Sequence, residues 1–419
     1  MTENAGEISL IKKEKRYLKT LYFVMFLAFG SISPFAAIFY KRILTNPDGS
    51  PAIHLIGIIV ASVPVVGFFA NLIVGVFADK FGISRRLITI LSFFGAVIAL
   101  IVGLCGTQSV ITLALEQKFI LLFFAVLAYN FVTISLNPLV DSETLQFLNK
   151  HSDRKKFGSF RIWGTYGWAV AALFMGIILT LIAKYFEQSN GTNYRFIYYS
   201  GAIAMLCLGI LGKKAHVEIS KKPKISYKYI FKDSLFIRFL IFVFLEGIVM
   251  TSTDSYLGYF FDDVMKSPLQ IGMVYCFWTT FEIPVLAYSD KLLKKFGSRK
   301  ILIAGIFFIV LELFLFSLFE LDTPFILKFL ATLMHGLAFS LHYIGLMDYL
   351  DRYAHKDMRT TYLATMNIAR TTLATVAGGA IGAVIIAHFN SSALMRSGAV
   401  CMMFLAVFFL VFVKSPNER

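Results

Sequence analysis

The chain has 419 residues, 58% of them hydrophobic, with a mean hydropathy of +0.72 and only 16% charged. That balance excludes a soluble globular protein of this length, whose apolar share lies nearer half. A net charge of +15 raises nucleic acid as a partner, but the basic residues alternate between successive loops instead of forming one patch, so no nucleic acid is expected.

Apolar runs near twenty residues recur along the whole chain, as transmembrane helices require. Twelve are expected, at about 17–41, 52–79, 86–105, 118–147, 159–183, 194–212, 235–261, 269–290, 300–319, 324–350, 359–388 and 393–413. Of the 40 Lys and Arg, 28 fall at the termini and in the even-numbered connections. Eight fall in the odd-numbered ones: Lys41, Arg42, Lys118, Lys184, Arg195, Lys266, Lys328 and Arg396. Lys19, Arg161, Arg238 and Arg370 lie within spans or near their ends. This bias is the positive-inside pattern, and it predicts cytoplasmic termini with anionic lipid beside the basic loops. The first sixteen residues are polar and mixed in charge, so no cleavable signal peptide is expected. Cys105, Cys207, Cys276 and Cys401 all fall in predicted spans, with no metal spacing and no disulfide framework.

In chain order, residues 1–16 form a cytoplasmic segment and 17–212 a first set of six spans. The second span runs into a loop containing Gly75, Asp79, Gly82, Arg85 and Arg86. Asp141 and Glu143 sit near the end of the fourth span, and Arg161 near the start of the fifth. Ionisable groups inside a membrane are costly, so they tend to pair and to mark a pathway. Trp168 lies seven residues after Arg161, two turns on and on the same helical face. A basic linker follows at 213–233, then six more spans over 234–413 and a tail at 414–419. The loop from Asp290 to Lys300 weakly echoes the one holding Asp79, as two related halves would. The second half carries Glu246, Asp254, Glu282, Glu312, His335, His342 and Arg370 within its spans.

The loop at Gly75 to Arg86 resembles the signature loop of the major facilitator superfamily. The run Phe157-Gly-x-x-Arg161-x-x-Gly164-x-x-Gly167-Trp168 resembles a helix of the lactose permease-like oligosaccharide:proton symporter family. The resemblance implies an all-α fold of twelve helices in two six-helix bundles and transport by alternating access. It also implies that Glu143, eighteen residues before Arg161, pairs with it, that both hold sugar hydroxyls, and that Trp168 stacks on the sugar ring. Asp141 is an additional carboxylate that the sugar assignment does not explain. Asp254 matches one of two acidic positions in the family's seventh helix, with Thr251 at the other, and an Asp254–Arg370 charge pair is expected. His335 matches the family's proton-coupling His, but Ala338 stands where its Glu should be. Glu282, Glu312 and His335 are therefore the proton-coupling candidates.

The chemistry of these side chains leaves the solute open. An Arg–carboxylate pair offers donors and acceptors to adjacent hydroxyls, and an indole face suits a sugar or a nucleobase. A proton-coupled symporter of a sugar or oligosaccharide is expected first, with a nucleoside or aromatic-acid permease as the alternative. An enzyme or scramblase is the remote reading: the chain has no His-x-x-His pair, no Gly-x-Ser-x-Gly and no nucleotide-binding glycine loop. No cofactor is expected. The expected partners are a small-molecule solute, protons and membrane lipids, and the expected state is a monomer in the plasma (inner) membrane.

Overall fold

A computed structural model describes the backbone of residues 2–81, 83–150, 157–185, 192–212, 234–354 and 359–413, without the side chains of 2–8, 79, 149, 192, 359 and 360. The described residues hold helices and no strand. They run α1 (Thr2–Ile43), α2 (Ile53–Phe81), α3 (Ser84–Leu104), α4 (Gln108–Ile111), α5 (Leu115–Ile134), α6 (Leu136–Lys150), α7 (Phe157–Tyr185) and α8 (Phe196–Gly212). After the linker come α9 (Ser234–Ser255), α10 (Leu257–Val264), α11 (Pro268–Ala287), α12 (Ser289–Phe296), α13 (Ser298–Phe316), α14 (Phe325–Tyr353), α15 (Arg359–Asn367), α16 (Ala374–His388) and α17 (Ser391–Phe412). Residues Ile368–Leu373, between α15 and α16, are π-helical.

Among the described residues, eleven helical stretches are long and apolar enough to cross a membrane. The expected ninth span corresponds to α13, a 19-residue helix whose Arg299, Lys300 and Glu312 set it apart from the others. Two expected spans are broken helices. The fourth bends at Ser135, because Pro138 has no N–H to offer the carbonyl of Ile134. The seventh breaks at Tyr256, between α9 and α10.

Contacts divide the chain into two compact units. The first holds Met1–Ser50 and Val66–Lys222, the second Pro51–Val65 and Pro223–Arg419. In the first, Leu18, Leu21, Tyr22 and Met25 of α1 pack with Leu139 and Val140 of α6, Phe160 of α7 and Leu208 of α8. Small residues bring α7 onto α1, as membrane helices need when burial of apolar surface gives no drive. A methyl group added at Gly167 would overlap the Phe23 carbonyl oxygen, and one at Gly164 would lie 2.8 Å from the Phe26 ring. In the second unit, α13 and α14 pack in the same manner. A methyl at Gly345 would lie 2.6 Å from the Leu302 nitrogen, and one at Gly305 would overlap the His342 backbone. Gly297 ends α12 with φ of 77°, a left-handed conformation that glycine adopts without steric cost.

Candidate functional site

In the first unit, the glycine contacts between α7 and α1 set the position of Arg161. Its guanidinium carbon lies 4.2 Å from the centre of the Phe26 ring and 5.9 Å from that of Tyr22. Such stacking holds a cation while leaving the edge of its fork available. The Tyr22 hydroxyl donates to Asp141 Oδ1 at 2.5 Å, and Asp141 lies within electrostatic reach of Arg161. Arg161 is half-buried, and no hydrogen-bond acceptor among the described residues engages its guanidinium. The result is a positioned donor fork with an aromatic floor and a nearby carboxylate. Trp168 is also half-buried on α7, its backbone against Gly30 of α1.

The expected Glu143–Arg161 pair is not formed. Glu143 Oε2 accepts from Arg85 Nε at 2.5 Å, and Arg85 also binds Glu14 and stacks on Tyr17. The cause is helical geometry: residues two apart on α6 point roughly 200° apart. Asp141 therefore faces Tyr22 of α1, while Glu143 faces the start of α3. Arg85 thus ties α3, α1 and α6 together at one end of the first unit. Arg86 is exposed, and a methyl at Gly75 would meet open space. Gly82 and the side chain of Asp79 lie outside the described residues.

In the second unit, His335 on α14 meets Glu312 on α13, its Nδ1 at 3.0 Å from Oε1 and 3.2 Å from Oε2. Both are buried, at 7% and 4% exposure. The Trp278 ring of α11 lies with its centre 3.6 Å from the imidazole, and Tyr275 stacks on Trp278. Glu282 and Asp254 are within electrostatic reach of His335. A buried carboxylate and imidazole in contact can hold one proton between them, and Glu312 comes to His335 from the neighbouring helix, where Ala338 offers no acid on α14 itself.

The expected Asp254–Arg370 pair is also replaced. Arg370 donates from Nε to Glu246 Oε2 at 3.3 Å, and Asp254 lies only within electrostatic reach of it. Gly247 explains the exchange: a methyl there would lie 2.9 Å from the Arg370 carbonyl oxygen. The π-helical turn therefore comes close to α9 beside Gly247, and the adjacent Glu246 reaches the guanidinium. Thr251, at the family's other acidic position, donates to the Ala374 carbonyl at 3.2 Å. Tyr22, Phe26, Glu14 and Trp278 were not singled out from sequence. Trp278 lies four residues before Glu282, one turn along α11, and that spacing is the signal that would have found it.

The profile of the family described as "MFS_1 like family" matches residues 16–397. The chain belongs to that family of major facilitator transporters. It is 24% identical over 386 residues to YegT of Escherichia coli, a candidate nucleoside transporter, with 85% of each chain covered. It is 21% identical to the maltose permease of Geobacillus stearothermophilus, covering 84% of this chain and 82% of that one. With the sucrose permease of Escherichia coli it shares 25% identity, over 80% of each. In fold it is similar to a variant of the nucleoside transporter NupG, with a TM-score of 0.80, 17% identity, and coverage of 96% of this chain and 100% of that one. It is also similar in fold to a D-xylose-proton symporter, with a TM-score of 0.72, 13% identity, and coverage of 96% and 99%. The chain is therefore a multi-pass integral membrane protein and a secondary transporter of a small-molecule solute, not an enzyme.

Proposed function

We propose that the chain is a proton-coupled symporter for a small, uncharged, hydroxyl-bearing solute, a nucleoside before a sugar or oligosaccharide. It works by alternating access from the plasma (inner) membrane, with both termini in the cytoplasm. The observation that carries the reading is the Arg161 fork, stacked on Phe26 and with no acceptor among the described residues. A guanidinium held this way binds adjacent hydroxyl or carbonyl oxygens of a solute through parallel N–H donors. Asp141 close by balances its charge, which favours an uncharged solute over an aromatic acid. Glu143, on which the sugar assignment by resemblance depended, is engaged by Arg85. The nucleoside is placed first for that reason, with support from YegT; maltose and sucrose permeases among the relatives keep a sugar as the second reading.

The Glu312–His335 pair is the proton carrier in this reading, with Glu282 as an auxiliary acid. Its burial suits the role, because an uncompensated charge there is costly and a proton exchanged there changes the energy of a whole conformation. The test is uptake into proteoliposomes with an imposed inside-alkaline gradient, using labelled uridine, maltose and benzoate. Uridine should accumulate above its external concentration in wild type and fail to do so in Arg161→Lys. Accumulation of maltose alone would move the solute to the sugars. Uptake that ignores the gradient for all three would overturn proton symport.

A further inference from the structure

A second buried ionisable cluster in the second unit is separate from the His335–Glu312 pair. Glu246 of α9 is 0% exposed, and His342 of α14 is 1% exposed. Glu246 Oε2 accepts from Arg370, while Oε1 faces His342 Nε2 at 3.4 Å. These two atoms are within ion-pair distance, yet neither makes a hydrogen bond. Unsatisfied buried polar atoms are uncommon, and an adjacent pair marks a bond that a change of state would complete.

We propose that Glu246 and His342 form a second proton site, and that a proton taken there moves Arg370 from Glu246 to Asp254. The proposal rests on the proton-coupled reading above and adds to it a site and a moving part. His342 takes a proton from water at Nε2 and becomes a donor to Glu246 Oε1. One carboxylate cannot neutralise two buried cations, so the hold of Glu246 on Arg370 weakens. Arg370 does not lose its proton under any working condition, and it needs another counter-charge. Asp254 supplies one: it is exposed, carried two turns further along the same chain segment, and already within electrostatic reach of Arg370. Arg370 sits on the π-helical turn Ile368–Leu373, a kind of turn found most often at functional sites.

Among the described residues, the groups that face this cluster are few. Glu246 and Asp254 come from α9, Arg370 from the π-helical turn, His342 and Tyr343 from α14, with His335 and Glu312 reaching Asp254 from the other side. Asp254 thus feels both proton sites, and a move of Arg370 onto it would alter the field at His335.

The experiment needs neither solute nor gradient, so its outcome is independent of uptake. Purified full-length protein in detergent is titrated between about pH 3 and 8, a range wide enough to include a fully buried imidazole beside a carboxylate. The wild-type curve minus that of His342→Gln should contain one proton. Asp254→Asn, which removes the second seat for Arg370, should lower the midpoint of that difference by a pH unit or more, a tenfold loss of proton affinity. Glu246→Gln should do the same. If His342→Gln does not purify as a monodisperse species, the infrared spectrum of wild-type protein over the same range replaces it. There the imidazolium bands should shrink at acid pH when Asp254→Asn is compared with wild type. A difference curve without a proton, or a midpoint or band intensity that ignores Asp254→Asn, would overturn the proposal.

Discussion

The two ionisable sites differ in how completely each charge is answered from within its own unit. Arg161 in the first unit is held by ring faces and helix packing, with its donors left open among the described residues. His335 in the second unit is enclosed by Glu312 and by the Trp278 ring. In the proposed reading the open fork receives a partner that arrives and leaves. The closed carboxylate–imidazole contact, in the same proposed reading, carries something small enough to pass between two atoms, a proton. In that reading a membrane-buried ion serves two roles according to how many of its hydrogen bonds the fold already supplies.

The largest expected effect comes from removing the packing that places the open fork. Gly167→Ala puts a methyl into the Phe23 carbonyl, and separating α7 from α1 should cost on the order of 3 kcal/mol or more. Thermal unfolding in detergent checks this, with Gly158→Ala as the control, since a methyl there meets open space. A normal melting temperature for Gly167→Ala would show that the close approach is not required.

Next in size is the fork itself. Arg161→Lys keeps the charge but loses the planar geometry, and solute affinity should fall at least tenfold, about 1.4 kcal/mol. Binding of uridine by isothermal titration decides it; unchanged affinity would reduce Arg161 to a packing residue. Trp168→Ala should weaken binding by about 1–2 kcal/mol if the indole packs on the solute, with Trp168→Phe intermediate. Equal affinity across that pair would leave the ring as part of the helix surface only.

The smallest effect is the one on which sequence and structure differ. Glu143→Gln should leave solute affinity within about twofold, because Glu143 answers Arg85 and not Arg161. A loss as large as that of Arg161→Lys would restore the pairing that the resemblance implied.

How much was legible in the sequence follows from these residues. Span order and span type were readable because period and length are local properties of an apolar run. Thus α3 lies at Ser84–Leu104 where 86–105 was expected. The glycine spacing in the fifth span was legible as a motif, but its purpose, contact with Phe23 and Phe26, required the partner helix. The breaks at Ser135 and Tyr256 were not read, although Pro138 gives a local cause for the first. The pairing of charges was the least legible. Asp141 and Glu143 lie two residues apart, and α6 has neighbours on more than one side, so spacing alone could not say which acid meets which base. Glu246 and Asp254 posed the same choice on α9, and it was settled by Gly247, a small residue whose effect lies in what it allows to approach.

The central claim is that recognition and proton handling are divided between the open cluster and the closed one, and Glu312→Gln tests it most directly. In proteoliposomes with uridine on both sides, exchange needs no net proton release, whereas accumulation does. A membrane potential should add about 2.3 kcal/mol per 100 mV for each charge carried inward with the solute. The account predicts that Glu312→Gln abolishes accumulation under both gradients while exchange continues near the wild-type rate. Exchange lost together with accumulation, or accumulation unchanged, would contradict it.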